Sequence, residues 1–145
     1  MPQASRHNPG RRRFLRRVAA VAAALPLVPG ALRAHSVWRG GQHPTPRPGI
    51  TAAKVLTPEQ LKDAPDSLDV FNMVREIPEI VDGIRCQCGC ADIEGFYSLL
   101  SCYEGEGAMA RDCMICQGEG RLAYRLHKAG ESLDSIRAAI DARFG

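Results

Sequence analysis

The chain has 145 residues, with 19 Lys and Arg against 16 Asp and Glu, 45% hydrophobic residues and six cysteines. That length holds at most one domain of ordinary size, which excludes a multidomain enzyme. The formal charge of +3 does not mark a nucleic-acid binder: seven Arg and no acidic residue fall in residues 1–34, and the remainder holds 12 basic against 16 acidic residues, a net of −4.

Residues 1–34 read as a signal peptide. GRRRFLRR (residues 10–17) precedes VAAVAAALPLVPGAL (residues 18–32), which carries no charge. A basic region, an apolar run too short to span a bilayer and then small residues predict an export signal rather than a transmembrane helix. Arg11-Arg12-Arg13-Phe14-Leu15-Arg16 resembles the twin-arginine export motif. The expectation is an exported, periplasmic or extracytoplasmic protein, cleaved after Ala34, with no stable membrane span afterwards. Disulfides persist in such a compartment. The twin-arginine route, however, implies folding before crossing, often with a cofactor in place, so the thiols meet cytosolic metal and reductant first.

Residues 35–55 begin rich in Gly and Pro and predict a flexible linker. An ordered domain is expected over residues 56–145. Thr57-Pro58-Glu59-Gln60 has the form of a capping box with Pro at the first helical position, and Pro65 stops that short helix. Asp66 or Ser67 caps a second helix whose apolar stripe is Leu68, Phe71, Val74 and Ile77. Pro78 restarts a last turn that ends at Gly83. After the cysteines, Ile115, Leu122, Leu126 and Ala129 are expected to share the inward face of a helix stopped by Gly130. Ser132 caps another, with Leu133, Ile136, Ile140 and Phe144 as its stripe. No segment alternates like a strand. The predicted fold is all-α: a small helical domain with a cysteine-rich loop and a C-terminal αα-hairpin. A core that small commonly needs a staple, either disulfides or a metal.

All six cysteines, Cys86, Cys88, Cys90, Cys102, Cys113 and Cys116, lie in one stretch of 31 residues. In extended backbone, C-x-C-x-C puts Cys86, Cys88 and Cys90 on one side, and Gly89 lets the chain curl. Adjacent members make poor disulfide partners, because their Cα atoms would lie about 6.6 Å apart. Three convergent thiols suit a soft metal, Zn²⁺ or Cu(I). Cys113 and Cys116, three residues apart at a helix N-terminus, share a face, and the unpaired N–H groups there lower thiol pKa. That pair serves metal binding and redox chemistry equally well. Gln117 follows it instead of His, which excludes a c-type haem site, and no β-α-β pattern surrounds it. Cys102 is open as a sixth ligand, a disulfide partner or a resolving thiol. Met109 and Met114 are nearby soft donors, with gap-filling as their ordinary role. Glu94, Glu104, Glu106 and Glu119 are expected to form a solvated rim. No general acid/base pair, Ser-His-Asp arrangement or phosphate-binding loop marks an enzyme.

Residues Ile77–Phe144 resemble a family of bacterial exported proteins named for a PCYCGC motif. Here the motif reads Arg85-Cys86-Gln87-Cys88-Gly89-Cys90. Further matches are Ser98-Leu99-Leu100-Ser101-Cys102, the Cys113-x-x-Cys116 pair opening a helix, and Gly130-Glu131-Ser132 followed by Ile136-Arg137 and Ile140-Asp141. The resemblance implies an exported or membrane-attached cysteine-rich domain. Relatives carry His where Phe96 and Met109 stand; Met109 in that place would suit Cu(I). Three readings follow. The first is a metal-binding module with Cys86, Cys88, Cys90, Cys113 and Cys116 as ligands, Cys102 peripheral or a sixth, and Zn²⁺ or Cu(I) as the ion. The second is a thiol-disulfide oxidoreductase using Cys113 and Cys116. The third is a disulfide-stapled domain acting through protein partners. The residues name no protein partner.

Overall fold

In the computed structural model, which describes residues 41–89, 92 and 96–145, helical structure begins at the expected capping box. Gln60 N–H donates to Thr57 Oγ1 at 3.4 Å, and Thr57 N–H donates to Gln60 Oε1 at 2.9 Å. This reciprocal exchange satisfies two of the donors a helix start leaves bare. It opens a single 3₁₀ turn, Glu59–Leu61, whose Leu61 is buried. A second 3₁₀ turn, Pro65–Ser67, leads into helix α1, Leu68–Glu76. Its inward face is Val70, Phe71 and Val74, with Ile77 just beyond it; Leu68 is half-buried. Ser67 does not cap α1, because its hydroxyl donates to Ala64 O instead. Pro78 restarts the chain as α2, Pro78–Asp82, as a proline at a first helical position can.

Two further 3₁₀ turns, Leu99–Tyr103 and Met109–Arg111, precede the long helix α3, Met114–Lys128. A Schellman stop ends α3: Glu131 N–H reaches Leu126 O, and Gly130 N–H reaches His127 O. Gly130 sits at φ +85°, a conformation that favours glycine. Helix α4, Leu133–Phe144, starts where Ser132 Oγ accepts Ser135 N–H at 3.2 Å. Helices α3 and α4 form the expected hairpin, and α3 also packs on α1. Among the described residues there is no strand, only one bridge between Val55 and Glu104. The domain is all-α.

The inward face of α3 differs from the expected one. Cys116, Gln117, Glu119, Gly120 and Ala123 are buried, whereas Ile115 is 41% exposed and Ala129 is exposed. Close approach decides this. A Cβ on Gly120 would stand 2.3 Å from Tyr103 Oη and 3.1 Å from Val70 Cγ2. Small residues therefore face inward so that α3 can lie against α1 and the Leu99–Tyr103 turn, and the larger apolar residues are displaced to the sides.

Residues 41–56 contain no helix, and where a flexible linker is expected they are tied to the helical body. Arg47 donates to Asp82 through its backbone N–H and guanidinium at 2.7–3.1 Å. Arg137 donates to Pro44 O and Tyr97 Oη to Thr45 O. Residues 1–34, expected to form a signal peptide, lie outside the described residues. No helix among the described residues is long and apolar enough to cross a membrane.

Candidate metal centre

Three segments bring the sulfurs together. The turn after α2 carries Cys86 and Cys88, the Leu99–Tyr103 turn carries Cys102, and the start of α3 carries Cys113 and Cys116. Residues 87–89 turn rather than run extended, and Gly89 takes φ +92°. The curl, not strand pleating, brings Cys86 Sγ within 3.1 Å of Cys88 Sγ. Cys116 Sγ lies 3.6 Å from Cys86 Sγ and 3.4 Å from Cys88 Sγ. None of the five described cysteines forms a disulfide.

The triangle fits a metal. Cys86, Cys88 and Cys116 would hold a thiophilic ion such as Zn²⁺, which would take a fourth donor besides the three sulfurs. The three ligand atoms are grouped closely enough to hold one ion; which ion is a matter of donor chemistry. Cys102 is wholly buried and influences the thiols of both Cys86 and Cys116. Cys113 caps α3: its Sγ accepts Cys116 N–H at 3.5 Å, and it also reaches Cys88. Cys86, Cys88 and Cys116 are thus brought into one group, with Cys102 and Cys113 flanking it. Cys90 lies outside the described residues. Met109 and Met114 are exposed at the surface.

The sulfurs are not equivalent. Hydrogen bonds from Cys102 and Cys116 hold the Cys86 thiol far below its ordinary pKa, and the same contacts push Cys116 far above it. Burial raises Cys113, but the N–H groups of Cys116 and Ile115 outweigh it and its thiol is lowered, as expected at a helix start.

Side chains that sequence reasoning assigned no role hold the cysteine turn in place. Glu119 is fully buried, which corrects its placement on a solvated rim. Its Oε1 accepts Gln87 N–H at 2.7 Å, and its Oε2 has no hydrogen-bond partner among the described residues. Burial, and then the charge of Cys86, push its carboxyl up to about 9. The Gln87 side chain donates to Asp141 Oδ1 at 2.6 Å. His43 Nδ1 accepts Arg85 N–H at 2.9 Å, so the proton sits on Nε2, which donates to Asp141 Oδ2 at 2.8 Å. Backbone amides on both sides of Cys86 are therefore fixed from α3, α4 and the N-terminal arm. The one sequence signal for this was spacing: Glu119 stands one helical turn after Cys116, on the same face.

Comparison with known proteins found no matching family model, no matching curated relative and no matching solved structure.

Proposed function

We propose that this chain is an exported protein that binds one thiophilic metal ion, Zn²⁺ or Cu(I), through Cys86, Cys88 and Cys116. The observation that carries the reading is the sulfur triangle with sides of 3.1, 3.4 and 3.6 Å, assembled without a disulfide. Three sulfurs this close repel one another as thiolates, and a cation removes that repulsion. Zn²⁺ requires a fourth donor, for which Cys90, Cys102 and Cys113 are the candidates; Cu(I) is the softer fit for thiolate. Export by the twin-arginine route, with residues 1–34 as signal, is supported by the leader composition. The PCYCGC-like pattern around Cys86–Cys90 is in keeping with it.

A second reading, thiol-disulfide exchange, is favoured by Cys113 alone: it is partly exposed, at a helix start, with its thiol lowered and Cys116 three residues on. One experiment separates the two. The protein is purified without reductant or chelator, bound metal is measured by elemental mass spectrometry, and free thiols are counted before and after chelation. The expected result is about one metal per chain, thiols that resist alkylation until chelation, and a melting temperature that drops when metal is removed. A protein that takes up neither Zn²⁺ nor Cu(I) when they are supplied, and in which Cys113 alkylates far faster than the rest, would transfer the assignment to exchange chemistry.

A further inference from the structure

Arg121 and Arg125 stand four residues apart on α3, where like charges repel and weaken a helix. Arg143, near the end of α4, lines the same groove, of about 440 Å³. Met73, Met114 and Phe144 supply its apolar surface. Gly118 lets Phe144 lie close: a Cβ there would stand 3.0 Å from the ring. Among the described residues none of these three guanidinium groups has a carboxylate partner, whereas Arg137 of the same hairpin pairs with Asp134 at 2.9 Å. Met114 is 76% exposed, the most exposed of the large apolar side chains among the described residues. The chain thus gathers three unneutralised cations around an apolar floor, in a domain whose sequence after residue 34 is net acidic.

We infer that this groove is a docking site for a protein segment in which carboxylates flank one large apolar side chain. Guanidinium forks match carboxylates in bidentate pairs. Arg, Met and aromatic residues are the types enriched where proteins meet. A small anion would leave the Met and Phe floor unused, and a flat membrane surface cannot enter a groove between two helices. Met114 adjoins Cys113, so the docked segment would lie beside the C-x-x-C pair. The inference does not rest on the metal reading.

The test is fluorescence anisotropy with the full chain and a labelled peptide in which Asp and Glu residues flank a Leu. Binding should weaken as salt rises. Arg121→Glu and Arg143→Glu should each weaken it about tenfold or more, with circular dichroism unchanged. Leu→Ser in the peptide should weaken it severalfold, as should Met114→Asp in the protein. Equal binding of a peptide with Lys in place of its acids would overturn the proposal. So would wild-type affinity in both Arg variants, or no binding at low salt. Arg-dependent binding to phosphatidylglycerol vesicles without peptide binding would assign the groove to a membrane instead. Arg-dependent self-association in sedimentation, again without peptide binding, would assign it to a second copy.

Discussion

Glu119 sits where the sulfur cluster meets the core, and its chemistry depends on that position. A buried carboxyl with one unpartnered oxygen is costly when charged. Folded Glu119 keeps its proton to about pH 9, whereas an ordinary Glu releases it near 4.5. Between those values the folded state binds the extra proton, so this group's contribution to stability falls as pH rises. Cys86 titrates in the opposite sense over an overlapping range, so the difference between variants carries the test. Glu119→Gln keeps an acceptor for Gln87 N–H and removes the ionisation. Metal-free Glu119→Gln should be more stable than the parent by about 1–3 kcal/mol near neutral pH, with the gain shrinking toward pH 5. Urea titrations at three pH values measure it; a constant difference would mean that ionisation of Glu119 plays no part. At this scale the cysteines were legible as clustered soft ligands, because type and spacing are local. Which three converge was not, because Cys116 joins Cys86 and Cys88 across about 30 positions of chain.

Helix α3 shows how an element can be read at its ends and misread along its length. Cys113 at its start and the Gly130 stop are properties of a few neighbouring residues. The capping box at Thr57 and the Ser132 cap of α4 were legible for the same reason. The inward face of α3 is set by what it meets. Tyr103 donates to Cys116 O at 2.6 Å and packs edge-on against Phe71 at 4.9 Å between ring centroids. Its hydroxyl occupies the space that a side chain at position 120 would fill. Gly120→Ala gains up to about 1 kcal/mol of helix propensity, but it forces the Tyr103 ring or the helix to move. The net effect should be a loss of about 1–3 kcal/mol, read as a lower urea midpoint. A stabilised variant would show that α3 can shift without cost. Since Cys116 lies one turn before Gly120, the same change should weaken the metal binding proposed above.

Across the whole molecule, Asp82 joins the N-terminal arm to the helices. It is fully buried and accepts three hydrogen bonds from Arg47 and one from Ser98 at 2.8 Å. Burial raises its pKa, but the hydrogen bonds from Arg47 and Ser98 outweigh it, and the carboxyl lies below its ordinary 3.8. That contribution to stability is complete above about pH 3.8 and is lost as pH falls through the depressed folded value. Asp82→Asn should cost about 1–3 kcal/mol at pH 7, toward the lower end because the Arg47 side chain is 41% exposed and screened. The cost should vanish in acid, where the parent is protonated too. Melting curves from pH 7 to pH 2 check this; a cost that persists at pH 2 would assign the effect to packing. Because the arm also carries His43, which holds Arg85 N–H, loosening it should disturb the turn bearing Cys86.

The sequence by itself determined the all-α class, both ends of α3, the start of α4, the hairpin and the concentration of soft ligands in one stretch. Each of these depends on residues within about one helical turn of each other, or on composition. Tertiary structure decided which sulfurs meet, that Glu119 is buried beside them and that Gly120 rather than Ile115 faces inward. It also decided that residues 43–47 are fastened to α2 and α4. Those outcomes depend on close approach between segments tens of residues apart, where a single methyl group or an unpaired carboxylate oxygen determines which face can be buried.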